Sequence, residues 1–157
     1  MQIHIRFLAA MIALASPAHA DALAPTQVPS GLWLSDDGMA ATQFSACGDA
    51  LCGRIVWLKM ARDKHGDIPH DASNPNPTLR ARPICGLTLI TNLKPAGPGT
   101  WTDGTVYAVR TGKTASLDMR QTQPDRLDLH GFVGTRFFGK DFTFTQAPPG
   151  LAVCKAK

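Results

Sequence analysis

An all-β domain is what this sequence predicts: a small antiparallel up-and-down β-barrel of about eight strands with one long ordered loop. The first reason is spacing. Short apolar or alternating segments follow one another along the chain, separated by Gly, Pro and Asp turns of hairpin length. The second is the choice of acid. All 12 acidic residues are Asp and none is Glu, so a good helix former is missing and a turn former takes its place. The third is alternation. Leu127 and Leu129 face opposite to Asp128 and His130, and Phe142 and Phe144 alternate with Thr143 and Thr145, the period of a half-buried strand.

The strands follow in order. Residues 31–34 stop at Asp36-Asp37-Gly38, residues 39–46 end at Cys47-Gly48-Asp49, and residues 51–59 form the third strand. Beyond the long loop come residues 87–93, a turn over 95–99, Trp101, then residues 105–110. Thr111-Gly112-Lys113 turns into residues 114–120, where Leu117 and Met119 oppose Ser116, Asp118 and Arg120. Gln123-Pro124-Asp125 turns into residues 126–132, and residues 136–145 complete the set. A sandwich would also satisfy this spacing, but closure into a barrel removes the exposed edges.

Residues 60–83 lack a strand pattern. Loops of this length are uncommon in compact domains unless they serve a site. Asn76 is placed to cap, and Pro77 to start, a single helical turn running on through Leu79 to Arg82. The prolines at 69, 75, 77 and 83 limit the loop's freedom when unfolded. An ordered flap is expected.

The first twenty residues read as a cleaved leader. Arg6 precedes an apolar run over residues 7–15, and Ala18-His19-Ala20 stands ahead of Asp21, the pattern of a secretory signal peptide. The run is shorter than the ~20 residues of a membrane-spanning helix. The expected organisation is therefore a leader over 1–20 and a single barrel domain over 21–157, sent to the periplasm or the medium. The formal net charge of +4 is scattered, with no basic run interleaved with aromatics, so nucleic-acid binding gains no support. Four cysteines in an exported chain suggest two disulfides. Three pairings are open. We expect Cys47–Cys52, which staples a tight turn, and Cys85–Cys154, which ties the C-terminus to the barrel.

Several motifs together resemble one group of bacterial proteins. They are Gly31-x-Trp33, Leu51-Cys52-Gly53-Arg54-Ile55 and Asp71-x-x-Asn74-Pro75-x-Pro77-x-Leu79-Arg80-x-Arg82-Pro83. Trp101-x-x-Gly104-x-x-Tyr107, Gly112-Lys113-Thr114 and Leu127-x-x-x-Gly131-x-x-Gly134 follow. The chain is similar in these to the domain of unknown function 2147 family. That resemblance implies a calycin-like (lipocalin-like) barrel, export, and no established activity. The chain departs from the pattern at Ala115, where an aromatic is expected, and at Phe144-Thr145-Gln146, where Trp-x-Arg is expected.

Candidate binding residues lie around the flap. Arg80 and Arg82 are suited to gripping a carboxylate or phosphate; alternatively Asp71 pairs with one or both and pins the flap shut. Arg54, opposite Ile55 and Trp57 by alternation, is a further candidate for reading a ligand's charge. Among the aromatics, Trp57 and Phe44 beside the flap are the expected ligand contacts. His65, Asp67, His70 and Asp71 are of metal-ligating type, but Gly66 and Pro69 interrupt them, so no metal site is expected. No nucleophile elbow, phosphate-cradling Gly-rich loop or His-Glu-x-x-His motif is present. The expected function is binding of a small apolar or amphipathic ligand, without cofactor. The alternatives are an envelope protein-interaction module with a filled barrel and, behind both, a metal-dependent hydrolase.

Overall fold

Eight strands hydrogen-bond in chain order and close on themselves in the computed structural model, which describes residues 28–154. They are β1 (Leu32–Ser35), β2 (Ala40–Cys47), β3 (Ala50–Leu58), β4 (Thr88–Gly97), β5 (Thr100–Ala108), β6 (Lys113–Gln123), β7 (Arg126–Phe132) and β8 (Gly139–Gln146). Every neighbouring pair is antiparallel, and β1 meets β8 through Trp33↔Gln146, Leu34↔Thr145 and Ser35↔Phe144. The expected leader, residues 1–20, lies outside the described residues.

Alternation decides what lies inside. On β7, Leu127 and Leu129 are buried while Asp128 and His130 are partly exposed, and on β6 Leu117 and Met119 are buried between more exposed neighbours. Trp33, Phe44, Leu51, Ile90, Leu93, Trp101 and Phe144 join these four in one apolar cluster. The indole N–H groups of Trp33 and Trp101 are buried in it without a partner among the described residues. Each such group costs about 1–3 kcal/mol, offset by burying a large ring.

Several boundaries differ from expectation, two of them for related reasons. β4 runs on through Pro95 to Gly97, and β5 is continuous from Thr100 instead of broken after Trp101. Asn92 and Asp103 adopt left-handed backbone (φ 58° and 57°), which Asn and Asp tolerate better than other side-chain-bearing residues. The Asn92 amide donates to the Asp103 carbonyl (3.3 Å). These irregularities bend two long strands without ending them, as bulges do where a sheet must curve. The last strand starts at Gly139, so Arg136 belongs to the preceding loop.

The long connection is ordered as anticipated. Pro77–Leu79 form a 3-10 turn whose cap, Asn76, accepts from the Thr78 N–H. The loop's two limbs pair through Asp71 N–H to Arg82 O (3.0 Å) and Ile84 N–H to Pro69 O (2.9 Å). Its end returns to β3, where Gly86 N–H donates to Ile55 O.

Both expected disulfides are present, with Cα–Cα separations of 5.8 Å for Cys47–Cys52 and 6.2 Å for Cys85–Cys154. They close chain separations of 5 and 69 residues, worth about 2 and about 4 kcal/mol in loop entropy. Replacing Cys85 and Cys154 together by Ser is therefore expected to lower the unfolding free energy about twice as much as replacing Cys47 and Cys52. Urea denaturation of the two double variants measures this, and equal losses would refute the assignment of the long closure as the main staple.

Candidate functional site

The barrel's two ends differ. At one end lie the β1–β2 turn, the loop over 59–87, the β5–β6 turn and the β7–β8 loop; at the other lie three short hairpins. The apolar cluster fills the half nearer the short hairpins. Towards the loops the inward positions become small, with Ala40, Thr42 and Ala108, and an open cavity of about 630 Å³ remains. That volume is within the range of small-molecule sites.

Ile55, Leu89, Phe142 and Phe144 form the apolar wall of the cavity, and Met39, Met60, Pro69 and Ile84 form its rim. Charged groups of both signs stand at the mouth: Asp36, Asp37, Asp63, Arg110 and Lys140. Asp37 Oδ1 accepts from Ser35 Oγ (2.7 Å) and the Met39 N–H (3.0 Å). Those bonds, with Arg110 at 3.9 Å, hold its carboxyl below the ordinary Asp range. The mouth thus presents an anion fixed by two hydrogen bonds beside the cations of Arg110 and Lys140.

The loop is fastened by a buried carboxylate. Asp71 has no solvent exposure (0%), and its Oδ1 accepts from the Tyr107 hydroxyl of β5 at 2.7 Å. Its Oδ2 accepts from Asn74 Nδ2 (2.7 Å) and from Arg82 Nε and Nη2 (3.0 and 2.9 Å). Burial pushes this carboxyl up, but the bonds from Tyr107, Asn74 and Arg82 outweigh it and bring it below the ordinary Asp value. Burial, then the bond to Asp71, raises the Tyr107 hydroxyl, which keeps it a donor. Beside this latch Gly112, at φ 68°, lies against Ser73; a Cβ there would overlap the Ser73 carbonyl.

The six residues singled out from the sequence have three different fates. Asp71 and Arg82 meet in the latch, and Arg80 donates from Nε to the Asn74 carbonyl (2.8 Å), bracing the loop from within. None of these three lines the cavity; Arg110 and Lys140 are the cations there. Phe44 is buried in the apolar cluster, two positions along β2 from the cavity-lining Thr42. Arg54 is exposed on the outer face. Trp57 lies against the C-terminal tail, lining a separate recess with Ile68 and Val153. Strict alternation fails for Trp57 because the β2–β3 register shifts: Ala41 pairs with Trp57 but Thr42 with Ile55, so Val56 is an extra residue and Trp57 turns outward.

His65, Asp67 and His70 remain exposed while Asp71 turns inward, and among the described residues no group of three or more His, Cys, Asp or Glu converges as metal ligands do. The cavity wall at Leu89 and the partners Tyr107 and Asn74 were not foreseen as site residues. Their only sequence signal was membership of the motifs Asn74-Pro75 and Gly104-x-x-Tyr107, which says nothing of how far apart in the chain the partners lie.

Removing the latch has a defined consequence. Asp71→Ala leaves the Tyr107 hydroxyl and the Arg82 guanidinium without their acceptor, while Asn74 Nδ2 keeps only its bond to the Tyr107 oxygen (3.1 Å), for an expected loss of about 2 kcal/mol. The folded carboxyl lies below its unfolded value of about 3.9, so its stabilisation is complete above that value and is lost as pH falls through the folded one. Wild type and Asp71→Ala are therefore expected to differ constantly above about pH 5, the difference shrinking only once the pH falls below about 4 towards the folded value. Hydrogen exchange in residues 60–83 across pH reads this directly; a pH-independent difference would show that the ionised carboxylate is not the fastener.

A family described as "Uncharacterized protein conserved in bacteria (DUF2147)" matches residues 31–146. No curated protein matches the chain. Among solved structures, protein HP1028 from the human pathogen Helicobacter pylori, described as belonging to the lipocalin family, superposes with a TM-score of 0.71. It is 18% identical, with 82% of this chain and 92% of that one covered. At that identity the likeness establishes a lipocalin-like fold and nothing further.

Proposed function

We infer that this chain, which belongs to the DUF2147 family of uncharacterized bacterial proteins, is an exported binding protein that holds one small apolar or amphipathic molecule in the open half of its barrel. The single observation that carries this reading is the partial filling of the interior. Large side chains occupy one half, whereas small ones leave about 630 Å³ walled by Ile55, Leu89, Phe142 and Phe144 at the other. Evolution of a stable core alone gives no reason to leave such a space, since close packing is the favoured state of a protein interior.

The chemistry of the cavity defines the ligand class. An apolar wall accepts an acyl chain or a ring, and the charges at the mouth suit a polar end that stays near water. About ten buried methylenes at about 0.8 kcal/mol each supply roughly 8 kcal/mol before ordering costs. That corresponds to a dissociation constant near micromolar or weaker. Arg110 and Lys140 are the side chains placed to meet an acidic end. The reading is of a carrier instead of an enzyme, and the two disulfides support an oxidising compartment.

Two measurements test it. Titration with the fluorophore 1-anilinonaphthalene-8-sulfonate is expected to saturate at one per chain and to be reversed by dodecanoate. Leu89→Trp, which fills the cavity from its wall, is expected to weaken binding by about tenfold or more, whereas Arg54→Glu on the outer face leaves it unchanged. Equal binding by wild type and Leu89→Trp, at unchanged thermal stability, would remove the cavity from the account. For export, N-terminal sequencing of the protein from an expressing bacterium is expected to begin at Asp21; a chain retained with Met1 in the cytoplasm would contradict it.

A further inference from the structure

His130 stands on the outer face of β7 with an acceptor at each ring nitrogen. Its Nδ1 meets Asp141 Oδ1 of β8 at 2.5 Å, and its Nε2 meets the Arg136 carbonyl of the β7–β8 loop at 2.8 Å. A carbonyl oxygen has no hydrogen to give, and neither has an ionised carboxylate. Both ring nitrogens must therefore donate, and an imidazole donates from both only as the cation. The two partners set the protonation state of this histidine.

The surroundings are built around the ring. Gly139 lies against it, where a Cβ would overlap the imidazole. The ring stacks on Phe132, with centroids 5.7 Å apart and planes at 26°, and the Arg136 guanidinium lies 5.3 Å from the same phenyl ring. Arg136 is held by Asp118 of β6 (2.6 Å), the cross-strand partner of His130, and by Asp103 of β5 (3.0 Å). Two cations, His130 and Arg136, thus face three carboxylates. Asp128, two residues back on the same face of β7, is engaged by Arg126 Nε (2.8 Å) and lies opposite Arg120 of β6. Lys140, next to Asp141 on β8, lines the cavity instead. The bond to Asp141, then that to the Arg136 carbonyl, outweigh burial and raise His130 above the ordinary histidine value.

A neutral ring has one N–H and cannot serve both partners. The bond to a carboxylate is charge-assisted and the stronger of the two, so the remaining proton stays on Nδ1. Nε2 then turns a lone pair on the Arg136 carbonyl, acceptor against acceptor. That carbonyl is where the backbone of the β7–β8 loop is tied to the barrel wall, whereas the Phe138 N–H bonds within the loop, to Thr135 O (3.3 Å).

We propose that His130 is a proton-operated fastener of the β7–β8 loop: as the imidazolium it bridges Asp141 to the Arg136 carbonyl, and on losing its proton it releases that carbonyl. Arg136 keeps Asp118 and Asp103 through its side chain, so the loop loosens at its backbone without leaving the wall. Because the folded value is raised, the stabilisation is complete below the unfolded histidine value of about 6.5 and is lost as pH rises through the folded one. The loop is fastened in mildly acidic surroundings and loosened above the folded value. The device does not depend on the cavity holding a ligand.

Two readouts on the exported protein test this. Proton–nitrogen correlation spectra of the histidine rings follow the proton on His130, assigned by the signal missing in His130→Gln. The midpoint is expected above about 6.5, with the neutral ring protonated on Nδ1, and Asp141→Asn is expected to lower it. Chymotrypsin cleavage after Phe137 and Phe138, both exposed, reports opening of the loop when divided by cleavage of a peptide of residues 131–140 at the same pH. In the wild type this ratio is expected to rise about fivefold as pH passes the His130 midpoint, the worth of one hydrogen bond. His130→Gln is expected to hold one ratio at every pH, and Asp141→Asn to move the rise to lower pH. Asp141 is exposed, so its variant carries the test even where His130→Gln fails to fold. A midpoint at or below about 6.5, a neutral ring protonated on Nε2, or a wild-type ratio indifferent to pH would each overturn the proposal.

Discussion

Closure of the sheet between β1 and β8 is the constraint from which the rest of the structure follows. β1 has only four residues, yet its pairing with β8 removes both edges of an otherwise open meander. Once closed, the period of two along each strand ceases to distinguish two faces and instead distinguishes inside from outside. A one-residue slip at the seam would turn Trp33 and Phe144 out and bring their polar neighbours in. The register Trp33↔Gln146 is thus fixed by what it buries.

A closed barrel of this size is filled by its own side chains unless those side chains become small. Here the change occurs part-way along the strands. Trp33, Trp101, Leu93 and Leu117 fill one half, and Ala40, Thr42 and Ala108 leave the other open. The closely packed half supplies the stability that the hollow half forgoes. Gly53 shows how tightly it is made: a Cβ there would stand 3.0–3.1 Å from Phe44, Thr42 and Ile90.

The long loop is held in a different way. Little of it is apolar enough to bury, so a hydrophobic contact cannot fix it; a single desolvated carboxylate does so by accepting from three side chains. Asp71 therefore ties Asn74 and Arg82 of the loop to Tyr107 of the wall, and Arg82 also lies 5.8 Å from the Tyr107 ring. An ionised acceptor surrounded by donors is strong when complete and costly when broken. The rim formed by Met60, Pro69 and Ile84 inherits its position from that network.

The sequence by itself determined the all-β class, the order of the strands and the turns between them, because these rest on local facts, whereas the Cys85–Cys154 pairing, across 69 residues, was one of three it left open. Period-two alternation, turn residues at hairpin spacing and a capped Asn76-Pro77 turn are each decided within a few neighbouring positions. Arg80 and Arg82 were legible as charges of the flap but not as members of its internal bracing. The positions of Trp57 and Tyr107 were out of reach for the same reason. Trp57 faces outward because a register shift inserts one residue, and Asp71 meets Tyr107 across 36 positions of chain. Only the tertiary structure decided which end of the barrel stays open. That depends on how inward side-chain volumes from several strands add up at one height, a sum over distant residues that no stretch of sequence contains.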